Sequence, residues 1–68
     1  MQNKLLPWHD PRNWVLYATE VGDLRLLEIY RHKVDLNTVE DEGKSLIDLA
    51  TRKQQWDVVR FLNTLNVK

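Results

Sequence analysis

The side chains able to do chemistry in this chain are few and scattered. His9 adjoins Asp10, a pairing that suits a metal ligand or an acid–base couple. A metal site needs several ligands converging on one point, however, and the only other histidine, His32, falls at the far end of a separate helical segment. Ser45 is the sole serine; no Gly-x-Ser-x-Gly elbow surrounds it, and no histidine stands nearby to take its proton. The acidic run Glu40-Asp41-Glu42 precedes Gly43 but lacks the alternate-residue ligands and terminal Glu of a calcium loop. With no cysteine, thiolate nucleophiles, disulfides and Cys-type zinc sites are absent together. No nucleophile–base pair or metal cluster can be assembled, so the sequence predicts neither an enzyme nor a cofactor or metal. Asp10 and Ser45 have a simpler role open to them as helix caps. The acidic run reads as a solvated loop tip, with a contact surface as the alternative.

Composition points the same way. The 68 residues suffice for one small domain, and 43% hydrophobic with 29% charged residues is ordinary for a folded chain. Ten basic and ten acidic residues cancel, which argues against a surface built for nucleic acid. No apolar run approaches a membrane span, and the start lacks the apolar stretch and cleavage site of a signal peptide. The expected location is the cytoplasm.

Four segments carry helical periodicity. Asp10-Pro11 starts the first, because Asp caps the free amides and Pro at the first position has no amide to leave unpaired. Val15, Ala18 and Thr19 follow at three- and four-residue spacing, and Gly22 stops the helix in a left-handed conformation. Asp23 can cap a second helix carrying Leu26, Leu27 and Tyr30, with Arg31, His32 and Lys33 crowding its C-terminal end. Residues 34–44 break the period and read as an extended loop or hairpin-like excursion. Ser45 is placed to cap a third helix carrying Leu46, Ile47, Leu49 and Ala50, with Asp48 as an approximate capping-box partner. After a turn near Gln54-Gln55, a fourth should face inward with Trp56, Val59, Leu62 and Leu65.

The order repeats at an offset of 32 residues. Ala18-Thr19 recurs as Ala50-Thr51, and Leu26-Leu27 as Val58-Val59. Val15 falls on Ile47, Leu24 on Trp56, Ile29 on Phe61 and Tyr30 on Leu62, while Arg12 falls on Lys44 and Asn13 on Ser45. A period in the low thirties is the signature of a helical repeat, a class that serves more often as a binding surface than as a catalyst.

These residues resemble the ankyrin repeat family. Glu40-Asp-Glu-Gly43-Lys-Ser45 is similar to the opening of that repeat, with Ile47 at its Leu position. Ala18-Thr19 and Ala50-Thr51 take the paired Ala positions, and Gly22 the Gly between the helices. Leu26-Leu27 and Val58-Val59 take the paired Val positions, and Val34-Asp35-Leu36-Asn37 looks like the closing Ala-Asp-Val-Asn. The likeness covers roughly residues 10–65. It departs from the pattern in lacking the Pro and His of Thr-Pro-Leu-His in both copies. Gln54 stands where a left-handed Gly belongs, at a cost of about 1 kcal/mol, and Lys33-Val34 stands where Gly-Ala would be. A tetratricopeptide-like pair is the rival, but its Gly-Tyr and terminal Pro signals are missing.

The expected fold is therefore all-α: a single domain over 1–68, built from two stacked ankyrin-like helix–loop–helix repeats at about 10–41 and 42–68. Short terminal caps should protect the ends, Leu5, Leu6 and Trp8 over the first repeat and Leu65 with Val67 over the last. Trp14 and Trp56 are expected in core or inter-repeat packing, and Trp8 in the cap or as an exposed anchor. The resemblance implies non-catalytic protein binding through loop tips and the exposed side of each first helix. Carried over by position, that surface holds His9, Asp10, Arg12, Glu20 and Val21 from the first repeat. The second adds Asp41, Glu42, Lys44, Arg52 and Lys53. Its mixed sign favours a protein partner over a polyanion. Nucleic-acid binding by a helix-turn-helix unit and self-association, as a homodimer, are the alternatives.

Overall fold

The structure, a computed structural model, describes residues 10–68. Among the described residues it is all-helical, with four α-helices and no strand: α1 (Pro11–Val21), α2 (Leu24–Tyr30), α3 (Leu46–Arg52) and α4 (Trp56–Thr64). Each start has a chemical cause. Asp10 is extended and accepts the Arg12 amide at 3.0 Å, with Pro11 next in the chain. Asp23 accepts the Leu26 amide at 3.1 Å, and Ser45 Oγ accepts that of Asp48 at 3.2 Å. α4 has no side-chain cap, because Gln55 turns its amide elsewhere.

The 32-residue offset is visible in the backbone. Gly22 closes α1 at φ 83°, and Gln54 closes α3 at φ 58°, so a non-glycine residue holds the left-handed position in the second copy. The amide of Asp23 donates to the Ala18 carbonyl at 2.9 Å, and that of Gln55 to Ala50 at 2.8 Å. The hydroxyl of Thr19 donates back to Val15 at 2.8 Å, and that of Thr51 to Ile47 at 2.7 Å. Within each copy the helices pack together, α1 on α2 and α3 on α4; between copies α1 packs on α3 and α2 on α4. Ala18 and Ala50 are both fully buried, the small side chains letting the helices approach.

The connection between the pairs is more ordered than an extended loop. Asp35 accepts the Asn37 amide at 3.0 Å and starts a 3-10 turn over Leu36–Thr38. Leu36 and Val39 on its two sides are buried in the core. A tight hairpin follows: Asp41 and Lys44 exchange both backbone hydrogen bonds, at 2.9 and 3.0 Å, around Glu42 and Gly43. Both central residues have positive φ, 55° and 79°, as a type I′ turn requires.

Two expectations are corrected. Trp56 points outward and is 57% exposed. The inward stripe of α4 runs through Val58 and Leu62, with Val59 only half-buried. Residues two apart on a helix lie about 200° around its axis, so Trp56 cannot share the face of Val58. The Arg31-His32-Lys33 cluster lies just past α2 and not in its last turn; Arg31 and His32 pair with Glu28, at 2.9 and 3.5 Å. At the C-terminus, Leu65 packs against the core that contains Val58 and Leu62 of α4. Val67 is buried in the shared core, and the Lys68 amide donates to Asn37 Oδ1 at 2.8 Å. The expected cap formed by Leu5, Leu6 and Trp8 lies outside the described residues.

Candidate functional site

The hairpin at 41–44 and the first helix of each pair position most of the expected contact residues. On the second pair, the chain folds so that Arg52 at the end of α3 returns to the hairpin. Its guanidinium reaches Asp41 Oδ2 at 3.5 Å, joining residues eleven positions apart. Glu42 and Lys44 are exposed in the same turn, and Lys53 is exposed where α3 ends. Asp41, Glu42, Lys44, Arg52 and Lys53 therefore lie on or beside one clipped loop, which carries both acidic and basic groups.

The expected residues of the first pair divide between the two ends of α1. Asp10 and Arg12 form an ion pair at 3.1 Å at its start. The Arg12 side chain, then its backbone amide, hold the Asp10 carboxyl below the usual carboxylate range, and Asp10 in turn raises Arg12. Arg12 is thereby partly committed within the chain. Glu20 and Val21 sit at the other end, Val21 being 51% exposed. Eleven helical residues span about 16 Å, so these two groups do not form one patch. An open recess brings Asp10, Arg12 and Leu16 beside Thr38, Val39 and Glu40, which links the first group to the inter-pair connection. His9 lies outside the described residues.

Among the described residues no three His, Cys, Asp or Glu side chains gather as a metal site requires. His32 is paired with Glu28, and the Ser45 hydroxyl is engaged in capping α3. Among the described residues, no helix is long and apolar enough to cross a membrane.

Sequence reasoning missed two kinds of feature. Gln55, at the position equivalent to Asp23, sends its Nε2 across to the Glu20 carbonyl at 2.9 Å and so fastens the two inter-helix turns together. The loss of a capping residue at this position was the available signal. Tyr17 and Trp56 are exposed aromatics, at 50% and 57%. Tyr17 packs its ring edge-on against Trp14, with centroids 5.8 Å apart at 87°. Its place between the inward-facing Val15 and Ala18 pointed to an outward side chain.

Comparison with family models, with curated proteins and with solved structures finds no match to this chain.

Proposed function

We propose that this chain is a non-catalytic protein-binding module, made of two ankyrin-like repeats and needing no cofactor. The observation that carries the reading is the clip between Asp41 and Arg52, which holds an exposed, mixed-charge hairpin against the end of a first helix. A loop already bonded in place loses little conformational entropy when a partner docks, which is how a rigid repeat scaffold supports recognition. The mixed charges suit a protein surface carrying both signs and would gain little from a polyanion. The contact surface is Asp41, Glu42, Lys44, Arg52 and Lys53, extended toward Glu20 and Val21 on one side or Asp10 and Arg12 on the other. The partner is cytoplasmic in this reading.

The test begins with affinity capture from native lysate, using the intact chain as bait. Charge reversal at Asp41, Glu42, Arg52 and Lys53 is then titrated against the captured partner, beside a control set with Glu28 and Arg60 reversed. Weakened binding only in the first set, with melting temperature nearly unchanged, is the expected result. Loss confined to the control set moves recognition to the second helices. Capture of nucleic acid with steep salt dependence replaces the reading altogether.

A further inference from the structure

The two helix pairs are buried unequally at equivalent positions. Val15, Thr19 and Leu27 of the first pair are fully buried, on helices against which α3 and α4 pack. Their counterparts at the 32-residue offset are Ile47, Thr51 and Val59. Ile47 and Val59 are only half-buried, and Thr51 is exposed. Among the described residues, the face of α3 and α4 turned away from α1 and α2 carries no further helix.

The burial pattern fixes what that face presents. In α3 the buried Leu46, Leu49 and Ala50 share one side, so at about 100° per residue the opposite side belongs to Asp48 and Thr51, with Arg52 at its edge. In α4 the buried Val58 and Leu62 share one side. The opposite one belongs to Arg60, flanked by Trp56 and Asp57. A tight turn at 53–55 joins the two helices, which pack together and run antiparallel. Residues equally far from Gln54 along the chain therefore lie at about one level. Asp48 is level with Arg60, and Arg52 lies within a residue of the level of Asp57. The face is thus an apolar strip, Ile47 and Val59, with an edge of both signs on either side.

We propose that two copies of this chain pair through this face about a twofold axis running along the helices. Such an axis lays α3 of each molecule on α4 of the other without changing level. Ile47 and Val59 meet at the centre, and Trp56 of one molecule covers Thr51 of the other. At both edges Asp48 then faces Arg60 of the second copy, and Arg52 faces its Asp57. Opposite signs meet in all four encounters, and this complementarity selects a second copy as the occupant. Among the described residues the Asp48 carboxylate holds no ion pair. The bonds that Arg52 and Arg60 make within the chain, at 3.5 and 3.8 Å, are exposed and exchange readily. A face two helices wide is small beside the roughly 800 Å² per partner of a typical stable interface, so the dimer should be weak, with Kd roughly 10 μM to 1 mM.

Sedimentation of the intact chain across that range is expected to show monomer giving way to dimer and to nothing larger, because a twofold contact closes on itself. Asp48→Lys and Arg60→Glu each set like charges together at both edges, and each alone should weaken association by roughly tenfold or more. An equimolar mixture of the two variants, or both changes in one chain, restores opposite signs and should return to the wild-type midpoint. A wild-type chain that stays monomeric across the series overturns the proposal, and so does mass rising beyond two. A dimer that the single changes leave untouched, or that their combination fails to restore, lies on another face and equally overturns it. Asp48 sits in the first turn of α3, where a positive charge opposes the helix dipole. Should Asp48→Lys lower the circular dichroism, Trp56→Glu at an exposed site remote from that turn must abolish the dimer, and a dimer that survives it refutes the pairing. Sedimentation of the chain alone involves no other protein, so these outcomes are separate from those of the partner titration.

Discussion

Gln55 lies over Gly22. Its Nε2 donates to the Glu20 carbonyl at 2.9 Å, and its Oε1 would stand 2.5 Å from a Cβ placed on Gly22. The glycine is favoured by its φ of 83°, and a Cβ there would also push the Gln55 amide away from the Glu20 carbonyl. Gly22→Ala is expected to destabilise by more than the roughly 1–2 kcal/mol of left-handed strain alone. In a Gln55→Ala background the excess should vanish, because no amide is left to collide with the new methyl. Urea midpoints of the four-member cycle give the coupling. Strict additivity would show that the two turns do not touch.

The second copy holds the equivalent position without glycine. Gln54 sits at φ 58°, exposed, with its backbone amide bonded to the Thr51 carbonyl at 3.0 Å. Gln54→Gly should raise stability by up to about 1 kcal/mol, less what the freer unfolded chain takes back. A lowered melting temperature would mean that the glutamine side chain holds the turn more firmly than the backbone resists it.

Ala18 and Ala50 are fully buried at equivalent places in the two helix pairs. Leucine at either site should cost about 1–3 kcal/mol, since no room exists for three further carbons. Denaturant midpoints that do not move in either variant would contradict the close approach of the paired helices.

The carboxyls of Asp10 and Glu28 titrate below the usual carboxylate range, the first through hydrogen bonds from Arg12, the second mainly through one from Arg31. Both thus give up their protons more readily in the folded chain than in the unfolded one. The stabilisation they supply is complete above their ordinary range and is lost as pH falls through the lowered values. Asp10→Asn with Glu28→Gln should be slightly less stable than wild type at neutral pH and indistinguishable from it in strong acid. Thermal melts across that range would show the two curves converging. Curves that stay parallel would mean that these pairs do not form in solution.

The features legible in the sequence were those with local causes. Asp10-Pro11, Gly22, Asp23 and Ser45 announce helix ends because capping is settled within three or four residues. The positive φ of Gln54 was readable only through the 32-residue offset, which transferred the requirement seen at Gly22. The facing of α4 was not legible. Val58 and Val59 are adjacent and alike, and which of them turns inward depends on how α4 is rotated against α2, a tertiary outcome. The 3-10 turn escaped for a related reason: Leu36 and Val39 are buried as part of a core cluster that residues from all four helices complete. Apart from His9, the candidate contact residues lie at helix ends and in the 41–44 hairpin. The bond from Arg52 to Asp41 that draws five of them together spans the whole of α3 and needed coordinates to be seen.

The bond from the Lys68 amide to Asn37 brings together two points that lie 31 residues apart. The chain thus enters the second helix pair and leaves it at nearly the same place. A segment whose ends coincide can be copied in tandem or removed without rerouting the chain on either side. The period is in that sense also a unit of growth, because a copied segment would begin close to where the one before it ends.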